Sequence, residues 1–250
     1  MTDCLAREWI VAPSSIHFAE NEIHIYRVFL DQPPGHVHWL TTILAPGERE
    51  RAQRFHFERD RQRYVVGRAS LRMLLARYVG AEPQSLEFQY GRHGKPELAA
   101  PRQASLLSFN VAHSEGIALY AVTRNHVIGA DIERVRSLVH FDLMAELYFA
   151  AEERVALQGL SMPARQMAFF TCWTRKEAFM KALGLGMSIP LDSFAVSVAP
   201  TDSARLLRIA GSIEDAARWS LYALTPDSGF VATVAVQGPP TSLRLWSWSP

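Results

Sequence analysis

Cysteine is scarce in this 250-residue chain, and long apolar runs are missing. Two cysteines, Cys4 and Cys172, cannot build a disulfide framework. No apolar stretch is long enough to cross a bilayer, and the N-terminal residues MTDCLAREWI lack the apolar core of a signal peptide. We therefore expect a cytoplasmic protein without membrane contact.

The chain also lacks an excess of charge of either sign, because its formal net charge is only +1. Proteins that bind mainly nucleic acid neutralise many phosphates with basic side chains, so we expect no nucleic-acid partner. Hydrophobic residues make up 48% of the chain. That content is enough for one large core or two smaller ones.

The hydrophobic pattern predicts the same order of elements twice. The first half predicts a strand, a helical region, a short strand and a hairpin at residues 23–30, 46–78, 86–90 and 106–122. The second half predicts a strand, helices, two short strands and a hairpin at residues 127–132, 141–182, 194–198, 206–210 and 219–236. This repeat predicts an α+β fold of two similar lobes, residues 1–124 and 125–250, with a ligand site in the cleft between them.

Arginine is concentrated between Glu48 and Tyr78, where nine arginines face four acidic residues. Leu71, Leu74 and Leu75 form an apolar stripe that should face the core. The arginines then form either a solvated face or an anion site, in which the planar guanidinium donates two hydrogen bonds to phosphate.

Carboxylates are placed unusually in the segment VIGADIERV, residues 127–135. Alternate residues of a strand share a face, so Asp131 and Glu133 should point the same way, about 7 Å apart. Two such carboxylates repel each other unless a cation lies between them, and Mg²⁺ is the natural candidate. A strand end that runs into solvent, with Arg134 and Arg136 offsetting the charge, is the alternative.

A helix predicted around Trp173 carries Glu177 and Lys181 one turn apart, the spacing of an ordinary surface ion pair. The aromatic residues around the pair and the carboxylates upstream favour a functional role instead. Lys95 in a glycine-rich turn and His113 near a strand end are weaker candidates, since each is equally typical of a solvated side chain.

In this order, GRHGKPEL, FNVAHSEG, IGADIE and FFTCWTRKEAFMKALGLGM resemble the motifs of the Sfp-type 4′-phosphopantetheinyl transferases. The resemblance runs from about residue 44 to residue 187. It implies two α+β lobes related by pseudo-two-fold symmetry in a monomer. It also implies transfer of the phosphopantetheine arm of coenzyme A (CoA) to a serine of an acyl or peptidyl carrier protein, with Mg²⁺ and release of adenosine 3′,5′-bisphosphate.

The resemblance also implies roles for single residues. Three carboxylates would hold Mg²⁺, namely Asp131, Glu133 and Glu177. Glu177 would also be the base for the serine, and Lys181 would contact the phosphates and assist the leaving group. The nucleotide end of CoA would be held by Arg51, Arg63, Lys95, His113 and Lys181.

This chain departs from the family pattern at three places: Ala112 replaces a common serine, Glu48 replaces a lysine, and the helix start FAAEE at residues 149–153 lacks the usual serine or threonine. Arg134, Arg136 and the apolar residues 138–149 are candidates for binding an acidic carrier protein, although a core role for Leu143, Leu147 and Tyr148 is equally consistent with the pattern. A Mg²⁺-dependent phosphohydrolase of a nucleotide diphosphate such as CoA is the alternative function. A carrier-binding protein without activity is disfavoured, because the implied catalytic residues are all present.

Overall fold

The computed structural model describes residues 8–19, 21–99, 107–239 and 242–250, which form a mixed α+β fold. Its helices are α1 (Pro34–Thr41), α2 (Pro46–Gln53), α3 (Glu58–Val79), α4 (Phe141–Tyr148), α5 (Ala151–Gln158), α6 (Met162–Leu183) and α7 (Ile213–Ala216). Its strands are β1 (Ile10–Val11), β2 (Glu22–Phe29), β3 (Phe88–Tyr90), β4 (Pro96–Leu98), β5 (Leu107–Ser114), β6 (Ile117–Arg124), β7 (Ile128–Arg134), β8 (Phe194–Val196), β9 (Leu206–Ile209), β10 (Trp219–Leu224), β11 (Phe230–Gln237) and β12 (Ser242–Ser247). Within the described residues, no helix is both long and apolar enough to span a bilayer.

The predicted elements are present, with three differences. The helical region at 46–78 is two helices, because the chain leaves helical geometry between Arg54 and Phe57. The region at 141–182 is likewise divided into α4, α5 and α6. Helices α1 and α7 and strands β1, β4 and β12 were not predicted. Leu106, the predicted start of the first hairpin, and Cys4 lie outside the described residues, whereas Cys172 is buried.

Two larger sheets organise the chain. The first has the strand order β1-β12-β2-β6-β5, and the second has the order β10-β11-β7. Strand β12 returns from the C-terminal end to pair in parallel with β2, with Leu243 opposite Ile23. The last described strand therefore belongs to the sheet built by the first half of the chain.

The two sheets lie between two long helices. Helix α3 packs on the outer face of the first sheet, against Tyr26 and Val28. The inner faces of the two sheets meet in an apolar layer that includes Ile25, Leu119 and Ile132. Helix α6 covers the outer face of the second sheet, where it contacts Gly129 and Asp131 of β7. The resulting layers are helix, sheet, sheet and helix.

Each long helix is joined to the short helix before it by a buried ion pair. Glu48 caps the start of α2 at Ala45 and accepts hydrogen bonds from Arg68 and from Arg72 Nε, the latter at 2.5 Å. These contacts overturn the expectation of a solvated arginine face at Arg72, which is only 2% exposed.

The second half has the corresponding arrangement. Glu153 caps the start of α5 at Ala150 and accepts from Lys176 Nζ at 2.7 and 2.8 Å. A buried ion that loses its partner costs about 3–5 kcal/mol, so both pairs hold their helices firmly in place.

A buried histidine joins β2 to the end of α3. The His24 ring contacts Phe18 and Trp246, its Nδ1 lies 2.7 Å from the Tyr78 hydroxyl, and its Nε2 lies 3.2 Å from Glu22 Oε2. Burial lowers the pKa of His24 to about 4, and this effect outweighs the opposite effect of the Glu22 carboxylate.

We expect acid to destabilise the fold through His24. Because the unfolded chain binds the proton at the ordinary pKa near 6.5, the stabilisation is complete above that pH and is lost as pH falls toward 4, by about 3 kcal/mol. The positive charges of Arg244 and Arg124 act in the same direction. Guanidinium unfolding at several pH values should give a smaller pH slope for His24→Gln and an unchanged slope for His38→Gln, an exposed control. An unchanged slope for His24→Gln would contradict this account.

Candidate active site

A cavity of about 550 Å³ lies between the two halves of the chain. The first half contributes the turn at residues 93–96 and Asn110 and Val111 of β5. The second half contributes the end of α4, the last turns of α6 and the segment that follows. Three of the predicted site residues line this cavity: Lys95, Glu177 and Lys181.

Glu177 lines this cavity, whereas Asp131 and Glu133 do not; Asp131 is linked to the cavity through Lys181, because β7 approaches α6 closely. A Cβ atom at Gly129 would lie 2.1 Å from the carbonyl oxygen of Ala178, so only glycine permits this packing. Two residues further along β7, Asp131 Oδ1 accepts a hydrogen bond from Lys181 Nζ at 2.6 Å. Lys181 therefore pairs with the strand, and the alternative of an ordinary Glu177–Lys181 surface pair is not what the helix forms.

Asp131 is buried, and its second oxygen, Oδ2, has no hydrogen-bond partner among the described residues. The pKa of this carboxyl is raised to about 7: burial is the main cause, Lys181 opposes it, and the negative charges of Glu133 and Glu177 add to it. Because its pKa is raised although Lys181 is bound to it, this buried carboxyl needs further positive charge nearby to be fully ionised.

Glu133 is half-buried beside Asp131. Its Oε2 accepts a hydrogen bond from Ser114 Oγ at 3.2 Å. Burial raises its pKa, and the charge of Glu177 contributes in the same direction. The charge of Glu177 thus raises the pKa of both strand carboxyls, which places Glu177 within electrostatic range of each.

These residues fit a hard divalent cation by their chemistry. Three carboxylates supply the oxygen ligands that Mg²⁺ prefers, and the unpartnered Asp131 Oδ2 has the position of an unused ligand atom. The described side chains do not, however, already stand as a closed group of three or more metal ligands. Lys181 instead holds one oxygen of Asp131.

Lys95 lines the cavity, whereas His113 is exposed and does not line it. Lys95 Nζ donates to the carbonyls of Ile128 and Ala182 at 3.0 and 3.1 Å, and burial lowers its pKa. This contact joins the turn of the first half to β7 and to the last turn of α6. His113 has a lowered pKa because of desolvation and the nearby charge of Lys181.

The two predicted arginines do not line the cavity. Arg63 donates to both oxygens of Asp31 at 2.6 and 2.7 Å, beside Gly116 in the turn between β5 and β6. Arg51 is exposed on α2, and its guanidinium lies 5.6 Å from the centre of the Tyr64 ring. In the described structure neither arginine forms an ion pair with Asp131, Glu133 or Glu177.

Sequence reasoning missed two polar side chains of β5. Asn110 Oδ1 accepts a hydrogen bond from the backbone N–H of Ala130 at 3.0 Å, and Ser114 Oγ accepts from the N–H of Arg134 at 3.0 Å. The spacing of four residues in a predicted strand puts both side chains on one face and was the available signal. Their partners on β7 are a feature of the tertiary structure alone.

Comparison with known protein families gives two matches. A model of the 4′-phosphopantetheinyl transferase superfamily matches residues 127–235, and a model of the N-terminal part of 4′-phosphopantetheinyl transferases matches residues 33–125. Together they include every residue singled out in the site.

Individual proteins are similar over long stretches. The 4′-phosphopantetheinyl transferase HetI of a Nostoc species is 35% identical over 244 residues, which are 98% of this chain and 100% of that protein. The 4′-phosphopantetheinyl transferase Sfp of Bacillus subtilis is 28% identical over 174 residues, 69% of this chain and 75% of that protein. The crystal structure of Thermotoga maritima holo-[acyl-carrier-protein] synthase is 17% identical over 46% of this chain and 65% of that chain, with a TM-score of 0.36. A TM-score this low does not show a shared fold.

Proposed function

This chain belongs to the 4′-phosphopantetheinyl transferase family, and we propose that it transfers the phosphopantetheine arm of CoA to a carrier-protein serine with Mg²⁺ bound by Asp131, Glu133 and Glu177. The observation that carries the metal assignment is the buried Asp131 Oδ2, which lacks a hydrogen-bond partner in the described structure next to two further carboxylates. Bound Mg²⁺ would neutralise the diphosphate and align it for attack.

The chain's own residues then act on the serine and the phosphates. Glu177 lines the cavity and accepts the proton of the serine hydroxyl. At the same time the serine oxygen attacks the phosphorus that carries the pantetheine arm. The bond from this phosphorus to the bridging oxygen breaks, and adenosine 3′,5′-bisphosphate leaves. Lys181 stands one helical turn away and stabilises the charge that develops on the leaving phosphate.

The nucleotide end of CoA lies toward the first half of the chain in this proposal. Lys95 and His113 are within the site region, and their positive or hydrogen-bonding groups suit the phosphates near the cavity. Arg51 and Arg63 lie outside the cavity wall, so they serve the remote 3′-phosphate. For this role Arg63 must share its guanidinium with Asp31.

The carrier protein docks on α4 and the segment before it. Leu143 and Leu147 are 56% and 72% exposed, which contradicts a core role for these two side chains. Leu147 also lines the cavity, so the apolar surface is continuous with the site. The exposed Arg134 and Arg136 add positive charge for an acidic partner.

Two lobes related by a pseudo-two-fold axis complete the proposal, with boundaries at residues 1–124 and 125–250 and the active site in the cleft. The corresponding ion pairs, Glu48 with Arg72 and Glu153 with Lys176, support it, because both basic residues lie at the same position of a 22-residue helix. The two family models adjoin near residue 126. One chain then supplies both halves of the site, which supports a monomer.

The test of this function is the intact mass of a purified apo carrier protein after incubation with this protein, CoA and Mg²⁺. We expect a mass gain equal to the phosphopantetheine arm, and no gain with EDTA. An equal gain in EDTA would remove the metal from the proposal. Cleavage of CoA without modification of any carrier type would favour the phosphohydrolase.

Asp131→Ala should weaken Mg²⁺-dependent CoA binding about tenfold or more, because one of three carboxylate ligands is lost. Calorimetric titration of CoA with Mg²⁺ and with EDTA measures the metal-dependent part of the affinity. Asp227→Ala, which removes an exposed aspartate outside the cavity wall, is the control and should behave as the unchanged protein. Metal-dependent binding that survives in Asp131→Ala would exclude Asp131 as a ligand.

A further inference from the structure

Strands β5 and β7 lie side by side where the two sheets meet. They are connected by hydrogen bonds that involve side chains rather than by backbone pairing. The N–H groups of Ala130 and Arg134 both point to the edge of β7 that faces away from β11. Each N–H donates to a side chain of β5, to Asn110 Oδ1 or to Ser114 Oγ, both at 3.0 Å. Two side chains four residues apart therefore replace the usual backbone pairing at these points.

Ser114 makes a second contact that Asn110 does not make. A serine hydroxyl has one proton to donate, and accepting from the N–H of Arg134 directs that proton to Glu133 Oε2, at 3.2 Å. The other oxygen of Glu133, Oε1, accepts no hydrogen bond from the described residues. One hydroxyl thus fixes both the backbone of β7 and the direction of a carboxylate next to Asp131.

We propose that Ser114 is a positioning residue that holds Glu133 in the orientation for Mg²⁺ before the metal binds. The inference rests on the proposed function, since it concerns the same three carboxylates. Ser114 does not line the cavity. Its contribution is to hold Glu133 Oε2, to leave Oε1 available as a metal ligand, and to prevent the carboxylate from turning away to solvent.

Removing this hydroxyl should weaken metal binding more than it weakens the fold. In Ser114→Ala we expect the Mg²⁺ affinity, measured by calorimetry with CoA present, to fall about 10- to 100-fold, as for other residues that support metal ligands. Turnover should recover in large part at saturating Mg²⁺. Ser114→Thr keeps the hydroxyl and should restore the affinity.

A matched control separates positioning from stability. Thr123→Val removes the buried hydroxyl of Thr123, which donates to the backbone carbonyl of Glu22 at 3.2 Å and makes no hydrogen bond to Asp131, Glu133 or Glu177 in the described structure. We expect it to lower stability and to leave the Mg²⁺ affinity within twofold. Ser114→Ala with an Mg²⁺ affinity also within twofold would reduce Ser114 to a strand connector and overturn the proposal.

Amide hydrogen exchange tests the same idea in the unchanged protein, should Ser114→Ala fail to fold. If Ser114 orders the site in advance, the amide of Arg134 is already protected without metal, and Mg²⁺ with CoA changes its exchange rate less than threefold. Protection that arises only with Mg²⁺ would mean that the metal orders β7 and would overturn the proposal. An unchanged protein that binds no Mg²⁺ would instead overturn the magnesium site itself.

Discussion

Glu177→Gln is expected to slow phosphopantetheine transfer by about 100- to 10,000-fold, the contribution of a well-placed general base. Glutamine occupies the same volume and retains one oxygen, but it cannot accept the serine proton. CoA binding should stay within about tenfold, because Lys181 and the other positive groups remain. The cavity position of Glu177, one turn before Lys181, is the basis of this expectation.

The measurement is single-turnover modification of an apo carrier protein, followed by intact mass, with CoA affinity from calorimetry. Glu214→Gln, an exposed glutamate on the short helix α7, is the control and should transfer at the normal rate. Near-normal transfer by Glu177→Gln would exclude Glu177 as the base. A loss of CoA affinity as large as the loss of rate would assign Glu177 to metal and substrate binding alone.

Gly129→Ala should destabilise the protein by about 3 kcal/mol or more, at or above the usual range for overpacking. The new Cβ would lie 2.1 Å from Ala178 O, 2.2 Å from Ala182 N and 2.8 Å from Ala182 Cα. These are backbone atoms of α6, so no side-chain rotation can relieve the overlap. Helix and strand must move apart.

Urea unfolding measures this loss, and Gly35→Ala is the matched control. A Cβ at Gly35 meets nothing within 4 Å, and alanine is the better helix former, so this variant should be neutral or up to about 1 kcal/mol more stable. Any folded Gly129→Ala protein should also lose transfer activity, because the displacement separates Asp131 from Lys181. Normal stability of Gly129→Ala would contradict the observed packing of β7 on α6.

Local patterns explain why much of the fold was predictable. Strands β5 and β6 form one hairpin, and β10 and β11 form another. Their residues are alternately or continuously apolar, and a hairpin depends on partners close in sequence. Helices α3 and α6 are long and end at Gly80 and Gly184, each with positive φ. Strand β12 was missed because its partner, β2, lies about 220 residues away, and no local signal indicates such a pairing.

The types of side chain in the candidate site, and the faces they share, were predictable from the sequence. Asp131 and Glu133 alternate along a strand, and Glu177 and Lys181 are one helical turn apart, so the sequence alone determined which side chains share a face. It also determined the family resemblance through four motifs in order. The family membership was confirmed by the comparisons, whereas the residue roles stay predictions.

Only the tertiary structure decided which groups pair. Lys181 bonds Asp131 rather than Glu177 because Gly129 lets the strand touch the helix backbone. Arg72, one of many arginines in a basic segment, is buried because Glu48 from the preceding helix neutralises it. Periodicity determines the face on which a side chain lies, but the partner of a charge depends on segments distant in sequence, which meet only when the sheets and helices pack.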